Sequence, residues 1–488
     1  MFIARLWRIK RQLFKELYLS PFDFASRMNP FYNPVFLGKI LKRYLIDVDR
    51  LDRISEEALR RYQDKQLRRL VLFADTVPLY HEKFKEAGVH PTAVAGITDL
   101  GKLPVVTKDD FKRFYPNGII SSKVNKESLI EVSTSGTSGK ILPLYVDMLD
   151  VVMGLFAYMR ALREYGLSVW KDKIAIIGDF ASHTAESGYV TRGVQPRFRL
   201  SRLSQNILWL NTNDDPKQVS SALDAFHPDF IGGYVGMIGH LALLKETGVG
   251  KNIAPEFIAT TGTVLNPFLK SFIEKQFHAK VFEVYGATES GLIALQCKQG
   301  SYHVMSDLVY AEFHRGSQPV GSGEAGEMII TKLYGNGTPI LRYTAINDIV
   351  APLTTTCSCG KAGALIDKVY GRNDLALYLP NGTVMLPASF AEISSRILYE
   401  LKTNKVKNTK IIQHDLTTVE IQVVIDEALR TIGPSVENIF QFIKRSFEEK
   451  VGPTVQVSVT EVATVDTSQG PRIISKVDTS KYTISRYL

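Results

Sequence analysis

The spacing of hydrophobic residues divides the middle of the chain into alternating helices and strands. Apolar positions at helical spacing predict one or two helices over Leu59–Lys85, with a turn at Val77–Pro78, and an amphipathic helix that begins near Leu149. Short apolar runs predict buried strands, separated by helical stretches such as Pro267–Phe277. These runs are Leu129–Ser133, Lys173–Gly178, Asp229–Val235, Phe257–Gly262 and Lys280–Tyr285. The alternation predicts an α/β fold with a substantially parallel sheet.

After Gly326 the pattern becomes strand-rich, and the last part of the chain has a small α+β pattern of its own. Thr409–His414 and Val419–Asp426 predict a hairpin, Val436–Lys450 predicts a helix and Val455–Val462 predicts a strand. We place a domain boundary at residues 371–374. The predicted division is an N-terminal helical extension (1–58), a large domain (59–370), a hinge (371–374) and a small C-terminal domain (375–488).

The segment Met1–Ser20 combines apolar positions at helical spacing with interleaved Arg and Lys, and it has no acidic residue before Glu16. A basic amphipathic helix of this kind lies either on an anionic membrane surface or with its apolar stripe against the body of the protein, and both interpretations stay open. The segment lacks the continuous apolar core and small-residue cleavage site of a signal peptide. We therefore expect a cytoplasmic protein, with peripheral contact at the inner membrane face as the alternative that residues 1–20 suggest.

Composition narrows the class of protein without choosing a partner. The chain has 488 residues, 45% of them hydrophobic and 22% charged, which is typical of a globular protein rather than a disordered one. Its 59 Lys+Arg against 50 Asp+Glu give a net charge of +9, which permits polyanionic ligands such as nucleotides. Nucleic acid is not expected, because no basic stripe with interleaved aromatic residues is present. Three cysteines cannot build a disulfide framework, which suits a reducing compartment.

A run of small and hydroxylated residues offers donors for phosphate. The run is Ser133-Thr134-Ser135-Gly136-Thr137-Ser138-Gly139-Lys140. Small side chains let the backbone approach a ligand closely, and hydroxyls with one ammonium group suit phosphate oxygens. The run is not a Walker A loop, because Thr134 stands where the first Gly is required, and its two glycines are too close together for a nucleophile elbow. The competing interpretation is a flexible surface loop.

The second chemical signal follows a predicted strand and reads Tyr285-Gly286-Ala287-Thr288-Glu289-Ser290-Gly291. Glycine-bearing turns at strand ends are frequent ligand sites in α/β sheets. A lone carboxylate such as Glu289 beside a Thr hydroxyl suits Mg²⁺, which takes one or two carboxylates and keeps several waters. The competing interpretation is an ordinary strand-to-helix turn.

Together these motifs resemble the adenylate-forming superfamily, which contains acyl-CoA synthetases, luciferases and peptide-synthetase adenylation domains. Ser135–Lys140 is similar to its phosphate loop, and Tyr285–Glu289 to its Tyr-Gly-x-Thr-Glu motif. Arg342-Tyr343 with Asp348 resembles its ribose-binding segment, and Gly371–Asp374 resembles its hinge. A further pattern resembles the branch of phenylacetate–CoA ligases and the capsule-biosynthesis adenylating (CapK-like) proteins. That pattern is Tyr80, Leu103-Pro104, Thr107-Lys108 and Phe114-Tyr115-Pro116.

The resemblance implies a large domain of mixed sheets and helices and a small, mobile α+β C-terminal domain. It implies an enzyme that uses ATP and Mg²⁺ to convert a carboxylic acid into an acyl adenylate and pyrophosphate. Rotation of the small domain then lets a second substrate attack the acyl carbon, and CoA is the expected acceptor. Two alternatives stay open: transfer to an amine or hydroxyl of a surface-polysaccharide or secondary-metabolite precursor, and a catalytically weak adenylate-binding protein.

The resemblance also assigns roles to individual residues. The phosphate-binding set is Thr134, Ser135, Gly136, Thr137, Ser138, Gly139 and Lys140. The catalytic set is Thr288, Glu289 and Arg372, with Glu289 as the magnesium ligand. The nucleotide- and acyl-binding set is Gly262, Thr263, Tyr285, Gly286, Ala287 and Asp348, and Asp374 is the hinge residue.

The chain departs from the family pattern at three places. The segment that ends at Asp348 is one residue longer than Arg-x-Thr-Gly-Asp and lacks its Gly, so ribose binding by Asp348 requires a local bulge. Gly262-Thr263 stands where relatives often have Gly-Glu. Gln469–Arg472 stands where relatives often have Gly-Lys, and Lys476 is either the replacement for the adenylation lysine or a surface residue.

All three cysteines belong to two short clusters. Cys297 precedes His303, and Cys357 is separated from Cys359 by one residue. Three thiolates and one imidazole form an accepted structural zinc set, in which four protein ligands leave no position for a substrate. The sequence therefore predicts a structural Zn²⁺ site, with three unrelated reduced thiols as the alternative.

Overall fold

The computed structural model describes residues 38, 40–43, 53–134, 142–182, 184–194, 205–403, 405–465, 473–479 and 482–487. Three segments of the sequence analysis lie outside these ranges: Met1–Ser20, Ser135–Lys140 and Gln469–Arg472. Among the residues within them, no helix has the length and apolar character needed to cross a membrane.

Helices occupy both the middle of the chain and its C-terminal part. They are α1 (Glu56–Ala74), α2 (Pro78–Glu86), α3 (Lys108–Phe114), α4 (Met148–Glu164), α5 (Pro216–Phe226), α6 (Val235–Glu246), α7 (Pro267–Phe277), α8 (Pro387–Glu400) and α9 (Val436–Val451). A π-helical segment covers Ser187–Val194, and short 3-10 segments cover Pro91–Ala93, Ile97–Lys102, Lys126–Ser128, Asn373–Leu375 and Glu427–Leu429.

Strands fill the intervals between these helices. They are β1 (Ile130–Ser133), β2 (Pro143–Val146), β3 (Ile174–Gly178), β4 (Ile207–Asn211), β5 (Phe230–Tyr234), β6 (Phe257–Thr261), β7 (Lys280–Ala287), β8 (Gly291–Gln296), β9 (Tyr302–Val304), β10 (Val309–Arg315), β11 (Gln318–Pro319), β12 (Gly326–Lys332), β13 (Asp348–Leu353), β14 (Leu365–Arg372), β15 (Leu377–Tyr378), β16 (Thr383–Met385), β17 (Val406–Asp415), β18 (Thr418–Ile425), β19 (Gln456–Glu461), β20 (Ile473–Ser475) and β21 (Arg486–Tyr487).

Local sequence signals explain where several helices begin. Thr107 accepts from the Asp110 amide while Asp110 accepts from the Thr107 amide, which is a reciprocal capping box for α3. Asp147 and Asp150 form the same arrangement at α4. At α7 the Asn266 side chain caps the helix, and a proline occupies the first helical position. The N–H that proline lacks would have no partner within the helix there. The predicted bounds of that helix are accordingly confirmed.

The largest sheet has twelve strands in the order β11-β10-β12-β13-β14-β9-β8-β7-β6-β5-β3-β4. Strands β7, β6, β5, β3 and β4 are parallel neighbours, whereas β7 pairs with β8 in antiparallel fashion. The expectation of a substantially parallel sheet is therefore wrong for the half of the sheet beyond β7, where short hairpins replace helical crossovers. The mixed α/β architecture that the family resemblance implied is confirmed.

The C-terminal part builds its own layer. Strands β17 and β18 form the predicted hairpin, and the four-stranded sheet runs β19-β18-β17-β20. The buried residues of one apolar cluster all lie between Leu377 and Val457, and they include Phe390, Phe442 and Phe447 from α8 and α9. The predicted helix and strand in this part therefore share a core of their own.

Residue Arg43 ties the N-terminal side of the chain to the body. Its guanidinium and that of Arg160 on α4 both pair with Asp307, and the Arg160 contacts are 2.8 and 3.0 Å. The two cations outweigh the cost of burial and hold the pKa of the Asp307 carboxyl well below its ordinary value. Removing either arginine would leave a buried charge that is less well compensated.

Candidate functional site

Strand β7 lies where the two halves of the large sheet meet, and it ends in the Tyr285–Glu289 motif. The turn after it joins two antiparallel strands, β7 and β8, so it is a hairpin and not the ordinary strand-to-helix turn considered from sequence. The strands β3, β5, β6 and β7 are parallel, so their carboxyl ends lie along one edge. Such an edge is where open α/β sheets bind ligands.

Tyr285 reaches across the sheet to Asp348. Its phenol donates a hydrogen bond of 2.5 Å to the Oδ2 atom of Asp348, which begins β13. Burial raises the pKa of the Asp348 carboxyl to about 6, although the Tyr285 hydrogen bond and the positive charge of Arg372 lower it. Burial and the Asp348 charge raise the pKa of Tyr285 well above its ordinary value, so the phenol stays protonated. The carboxyl is therefore held in place but not neutralised by an ion pair.

Arg372 ends β14 directly opposite Asp348 in the β13–β14 register. Its Nε and Nη2 atoms both donate to the Asp374 carboxylate at 2.8 Å, a bidentate pair within the predicted hinge. Burial lowers the pKa of Arg372, but Asp374, Asp348 and Glu289 outweigh that effect and raise it. One fixed cation therefore stands between three carboxylates.

Glu289 is the buried carboxylate of the site, with 9% of its surface exposed. The Tyr343 phenol lies 3.4 Å from its Oε1 atom as a donor. Burial raises the pKa of Glu289 above its ordinary value, while the nearby Lys108 and Arg372 lower it. Burial still outweighs these effects and the hydrogen bond to the backbone, so a further cation or donor would stabilise the charged form.

Lys108 is a site residue that the sequence analysis did not single out. It is the first residue of α3, and the capping box between Thr107 and Asp110 fixes where that helix begins. Burial lowers the pKa of its ammonium group, while the negative charge of Glu289 acts in the opposite direction. The Thr107-Lys108 pair is among the motifs of the family resemblance, and that resemblance could have indicated Lys108 as a site residue.

Two glycines of the nucleotide- and acyl-binding set are required by close contacts. A Cβ atom at Gly286 would lie 2.9 Å from the Gly291 carbonyl oxygen across the hairpin. At Gly262, which follows β6 with a φ of +88°, a Cβ atom would lie 2.2 Å from the Tyr234 ring. Gly262 and Thr263 are exposed at the carboxyl edge, beside the end of β7 where Ala287 and Thr288 are half-buried.

The longer segment before Asp348 bends as the spacing required. Asn347 takes a left-handed conformation with a φ of +61°, and its carbonyl accepts from the Asn373 amide at 2.6 Å. The β13–β14 pairing then shifts register between Ile349 and Val350. That shift skips Tyr370 on β14 and follows Asp348, which stays opposite Arg372. The segment before Asp348 therefore bends at Asn347, not at the bulge. The neighbouring Arg342 is buried in an ion pair with Glu312.

The predicted phosphate loop is described only at its base. Thr134 lies at the end of β1, where its amide donates to the Leu142 carbonyl and its hydroxyl accepts from the Leu142 amide, both at 3.1 Å. These bonds join Thr134 to Leu142. The remaining predicted phosphate-binding residues fall in a gap of the described ranges, namely Ser135, Gly136, Thr137, Ser138, Gly139 and Lys140. The Thr134 hydroxyl is therefore used by the fold itself.

Lys476 lies on the small C-terminal sheet next to His414. Its ammonium group is 3.3 Å from His414 Nδ1, and His414 Nε2 is 2.9 Å from the Glu420 carboxylate. The Lys476 amide also donates to the Gln413 carbonyl at 2.9 Å. The structure thus joins Lys476 to a polar face of β17 and does not bring it to Tyr285, Glu289 or Asp348.

The four predicted metal ligands are brought together from separate segments. The ligand atoms of Cys297, His303, Cys357 and Cys359 all lie within 4.8 Å of one another. The Sγ atoms of Cys297 and Cys357 are 3.8 Å apart, and Cys359 Sγ is 3.2 Å from His303 Nε2. Burial lowers the pKa of His303 to about 4, so its imidazole is neutral and available as a ligand.

Comparison with known proteins gives consistent relatives over most of the chain. The Escherichia coli (strain K12) phenylacetate-coenzyme A ligase is 23% identical, with 87% of this chain and 95% of that protein covered. The Thermus thermophilus phenylacetate-coenzyme A ligase is 24% identical over 88% of this chain and 99% of that protein. Protein CapK of Staphylococcus aureus is 21% identical over 83% and 87%. No family model matches the chain.

Solved structures agree with this picture at the level of the fold. A crystal structure of 2-hydroxyisobutyryl-CoA ligase in its postadenylation state, in complex with 2-HIB-AMP, has a TM-score of 0.69 and 17% identity, with 90% of this chain and 91% of that chain covered. The same ligase in complex with 2-HIB-AMP and CoA has a TM-score of 0.61 and covers 94% of this chain. The chain thus has the adenylate-forming fold, and its resemblance to the phenylacetate–CoA ligase and CapK branch of that superfamily is confirmed.

Proposed function

We propose that this chain is an AMP-forming ligase that activates a carboxylic acid with ATP and transfers the acyl group to CoA. The observation that carries the proposal is the charged group of Glu289, Asp348, Arg372 and Lys108 at the carboxyl edge of the large sheet. These side chains come from four separate elements, and their pKa values are shifted by burial and by one another. Perturbed charges of this kind are typical of functional sites. The curated ligases that match at 23–24% identity support the same activity.

The roles proposed for the residues follow from their chemistry. Asp348, held by the Tyr285 phenol, would accept hydrogen bonds from the ribose hydroxyls. Arg372 and Lys108 would face the negative charge that develops on the phosphates as the substrate carboxylate attacks phosphorus. Gly286 and Ala287 would let the backbone lie against the adenine and the substrate carboxyl group. Attack forms the acyl–phosphate bond and breaks the bond to pyrophosphate, which leaves.

The donor set also fits Mg²⁺, with Glu289 as its ligand from the protein. A buried carboxylate whose pKa is raised by desolvation is stabilised in its charged form by a nearby cation. Magnesium usually takes one or two carboxylates and keeps its waters and substrate phosphates. When bound, it would neutralise charge on the phosphates of ATP.

We further propose that Cys297, His303, Cys357 and Cys359 hold a structural zinc ion. Two sulfur ligands at about 2.3 Å from a tetrahedral zinc lie about 3.8 Å apart, and Cys297 Sγ and Cys357 Sγ are 3.8 Å apart. That separation is far longer than the roughly 2.05 Å of a disulfide. The ion would join the turn after β8, strand β9 and the loop between β13 and β14. Four protein ligands would leave it no catalytic position.

The division into a large domain, a hinge at residues 371–374 and a small domain is part of the same proposal. The separate apolar core from Leu377 to Val457 and the Arg372–Asp374 pair at the hinge support it. Rotation about the hinge would exchange the faces that the small domain presents to the adenylate. It would also decide whether Lys476 or another cation reaches the phosphates.

The test is isotope exchange between pyrophosphate and ATP over a panel of carboxylic acids. Glu289→Gln keeps the shape of the side chain and removes its charge, so exchange should fall by about 100-fold or more. Glu256→Gln, an exposed residue before β6, is the matched control and should leave exchange unchanged. Exchange that survives Glu289→Gln would contradict the proposed site. Exchange without CoA-dependent AMP release would favour an amine or hydroxyl acceptor over CoA.

A further inference from the structure

A second polar group lies on the carboxyl edge of the parallel strands, away from Glu289 and Asp348. Glu186 lies over the end of β3, where its Cγ atom is 3.4 Å from the position a Cβ atom would take at Gly178. The phenol of Tyr234, at the end of β5, donates a 2.5 Å hydrogen bond to Glu186 Oε1. The pair therefore occupies the same edge as the candidate site, two to three strands from β7.

Contacts connect this pair to the acyl- and nucleotide-binding residues. The Tyr234 ring lies directly over Gly262, and only the absence of a Cβ atom there leaves room for it. Gly262 in turn follows β6, the strand that pairs with β7. Neighbouring strands are spaced by about 4.8 Å, so β5 is about 10 Å from β7. A six- to eight-carbon acid activated beside β7 would extend about that far.

Glu186 is a carboxyl group without a cationic partner among the described residues. Burial raises the pKa of its carboxyl above the ordinary value, the Tyr234 hydrogen bond lowers it, and the negative charge of Asp179 raises it further. No Lys, Arg or His side chain in the part of the chain that the structure describes forms an ion pair with it. One phenol is its only side-chain donor there, although a carboxylate has room for several donors.

Two further tyrosines, Tyr158 and Tyr189, lie near Glu186. Tyr158 on α4 is 56% exposed, yet burial, followed by the charge of Glu186, raises its pKa to about 12. Tyr189 packs beside it, where its ring lies 3.7 Å from the position of a Cβ atom at Gly154. Phenol groups therefore surround the Glu186 carboxyl group on this part of the molecule.

We infer that the acid activated by this protein carries a hydrogen-bond donor, an amine or a hydroxyl group, at the end remote from its carboxyl group, and that Glu186 receives it. The inference rests on the proposed function and specifies its substrate class. An acid with an apolar end would displace the water around Glu186 and offer no hydrogen bond in its place. Binding of such an acid would be weakened, because a carboxylate buried without a partner carries a large desolvation cost. A site built to accept a donor rejects the analogue that lacks it much more strongly than an apolar pocket rejects one methylene group.

The test compares matched acids in pyrophosphate exchange. One set is 4-hydroxyphenylacetate, 4-aminophenylacetate and 4-methylphenylacetate, and the other is 6-hydroxyhexanoate, 6-aminohexanoate and heptanoate. In the wild-type protein, kcat/KM for the best donor-bearing acid should exceed that of its methyl analogue by about 100-fold or more. Glu186→Leu should remove that preference. Glu127→Gln, an exposed residue of the segment before β1, should keep it.

A second variant of Glu186 distinguishes a hydroxyl donor on the acid from an ammonium donor. Glu186→Gln keeps an acceptor of the same shape and loses the charge, so it should preserve a hydroxyl preference and weaken an ammonium preference. Glu186→Gln also replaces Glu186→Leu as the test variant if thermal unfolding shows that Glu186→Leu does not fold. Binding of the same acids in the presence of AMP, measured by calorimetry, repeats the comparison without turnover.

The outcomes distinguish the inference from the proposed function. Exchange in which the wild-type protein prefers the methyl analogues, or a preference that Glu186→Leu leaves intact, overturns the inference alone. No exchange with any acid of a broader panel contradicts the proposed function, while the calorimetric preference still decides the role of Glu186.

Discussion

Replacing Asp348 by Asn should make the ligand-free protein more stable while it removes a group proposed for ribose binding. Asp348 is half-buried and its phenol partner, Tyr285, donates to it without supplying a positive charge. Asparagine keeps an oxygen that accepts the Tyr285 hydrogen bond and removes the charge that burial disfavours. The substitution therefore separates the cost of the charge from the geometry of the site.

The magnitude follows from the pKa of the carboxyl. Burial raises it from 3.8 to about 6 in the folded chain, and each pKa unit corresponds to about 1.4 kcal/mol. The carboxyl is neutral in both states below pH 3.8, so it has no effect there. As the pH rises through about 6, the unfolded chain has already lost the proton that the folded chain still holds, and stability falls. The charge thus lowers the free energy of unfolding by about 3 kcal/mol at pH 8 and by about half of that at pH 5.

The assay is thermal unfolding of the wild-type and Asp348→Asn proteins at pH 5 and pH 8 without ligands. The variant should unfold several degrees higher at pH 8, with a smaller gain at pH 5. Asp367→Asn is the matched control, because Asp367 lies exposed on the neighbouring strand β14. A variant that is no more stable than the wild type at pH 8, or a gain that does not change with pH, would refute the reasoning. Pyrophosphate exchange should fall in the same variant.

Three further predictions concern other parts of the molecule. Metal analysis should find about one zinc per chain, and Cys357→Ser should remove it and lower the unfolding temperature; an unchanged metal content would contradict the site. Gly262→Ala should raise the activation free energy of exchange or lower the free energy of unfolding by about 1–3 kcal/mol, because the new methyl group would meet the Tyr234 ring at 2.2 Å. Gly101→Ala is its control, because a Cβ atom there meets nothing within 4 Å. Lys108→Ala should lower kcat/KM for ATP by about 10-fold or more, whereas Lys112→Ala, exposed on the same helix, should not; equal effects would remove Lys108 from the site.

Elements with strong local signals were predictable from the sequence, and long-range pairings were not. Pro267–Phe277 matches the observed α7 because the Asn266 cap and the following proline mark its start. Strand β2 was missed, because four residues that begin with proline carry no strand periodicity. The antiparallel half of the large sheet was missed for a similar reason: short strands joined by hairpins differ from parallel ones only in their pairing partners.

The site shows the same division between local and long-range information. The cysteine and histidine cluster was predictable because few residue types ligate zinc and all three cysteines took part. The Tyr285–Asp348 hydrogen bond joins residues 63 positions apart, and neither side chain signals the other. Glu186 was not noticed at all, because a single glutamate in a stretch without periodicity looks like a surface residue until the fold places Tyr234 against it.

The central claim is tested most directly by identifying the products made from ATP, an active acid and CoA. We expect AMP, pyrophosphate and an acyl-CoA thioester in equal amounts, all dependent on the acid. Formation of ADP and phosphate in place of AMP and pyrophosphate would contradict it, because the proposed chemistry breaks the bond to the α-phosphate.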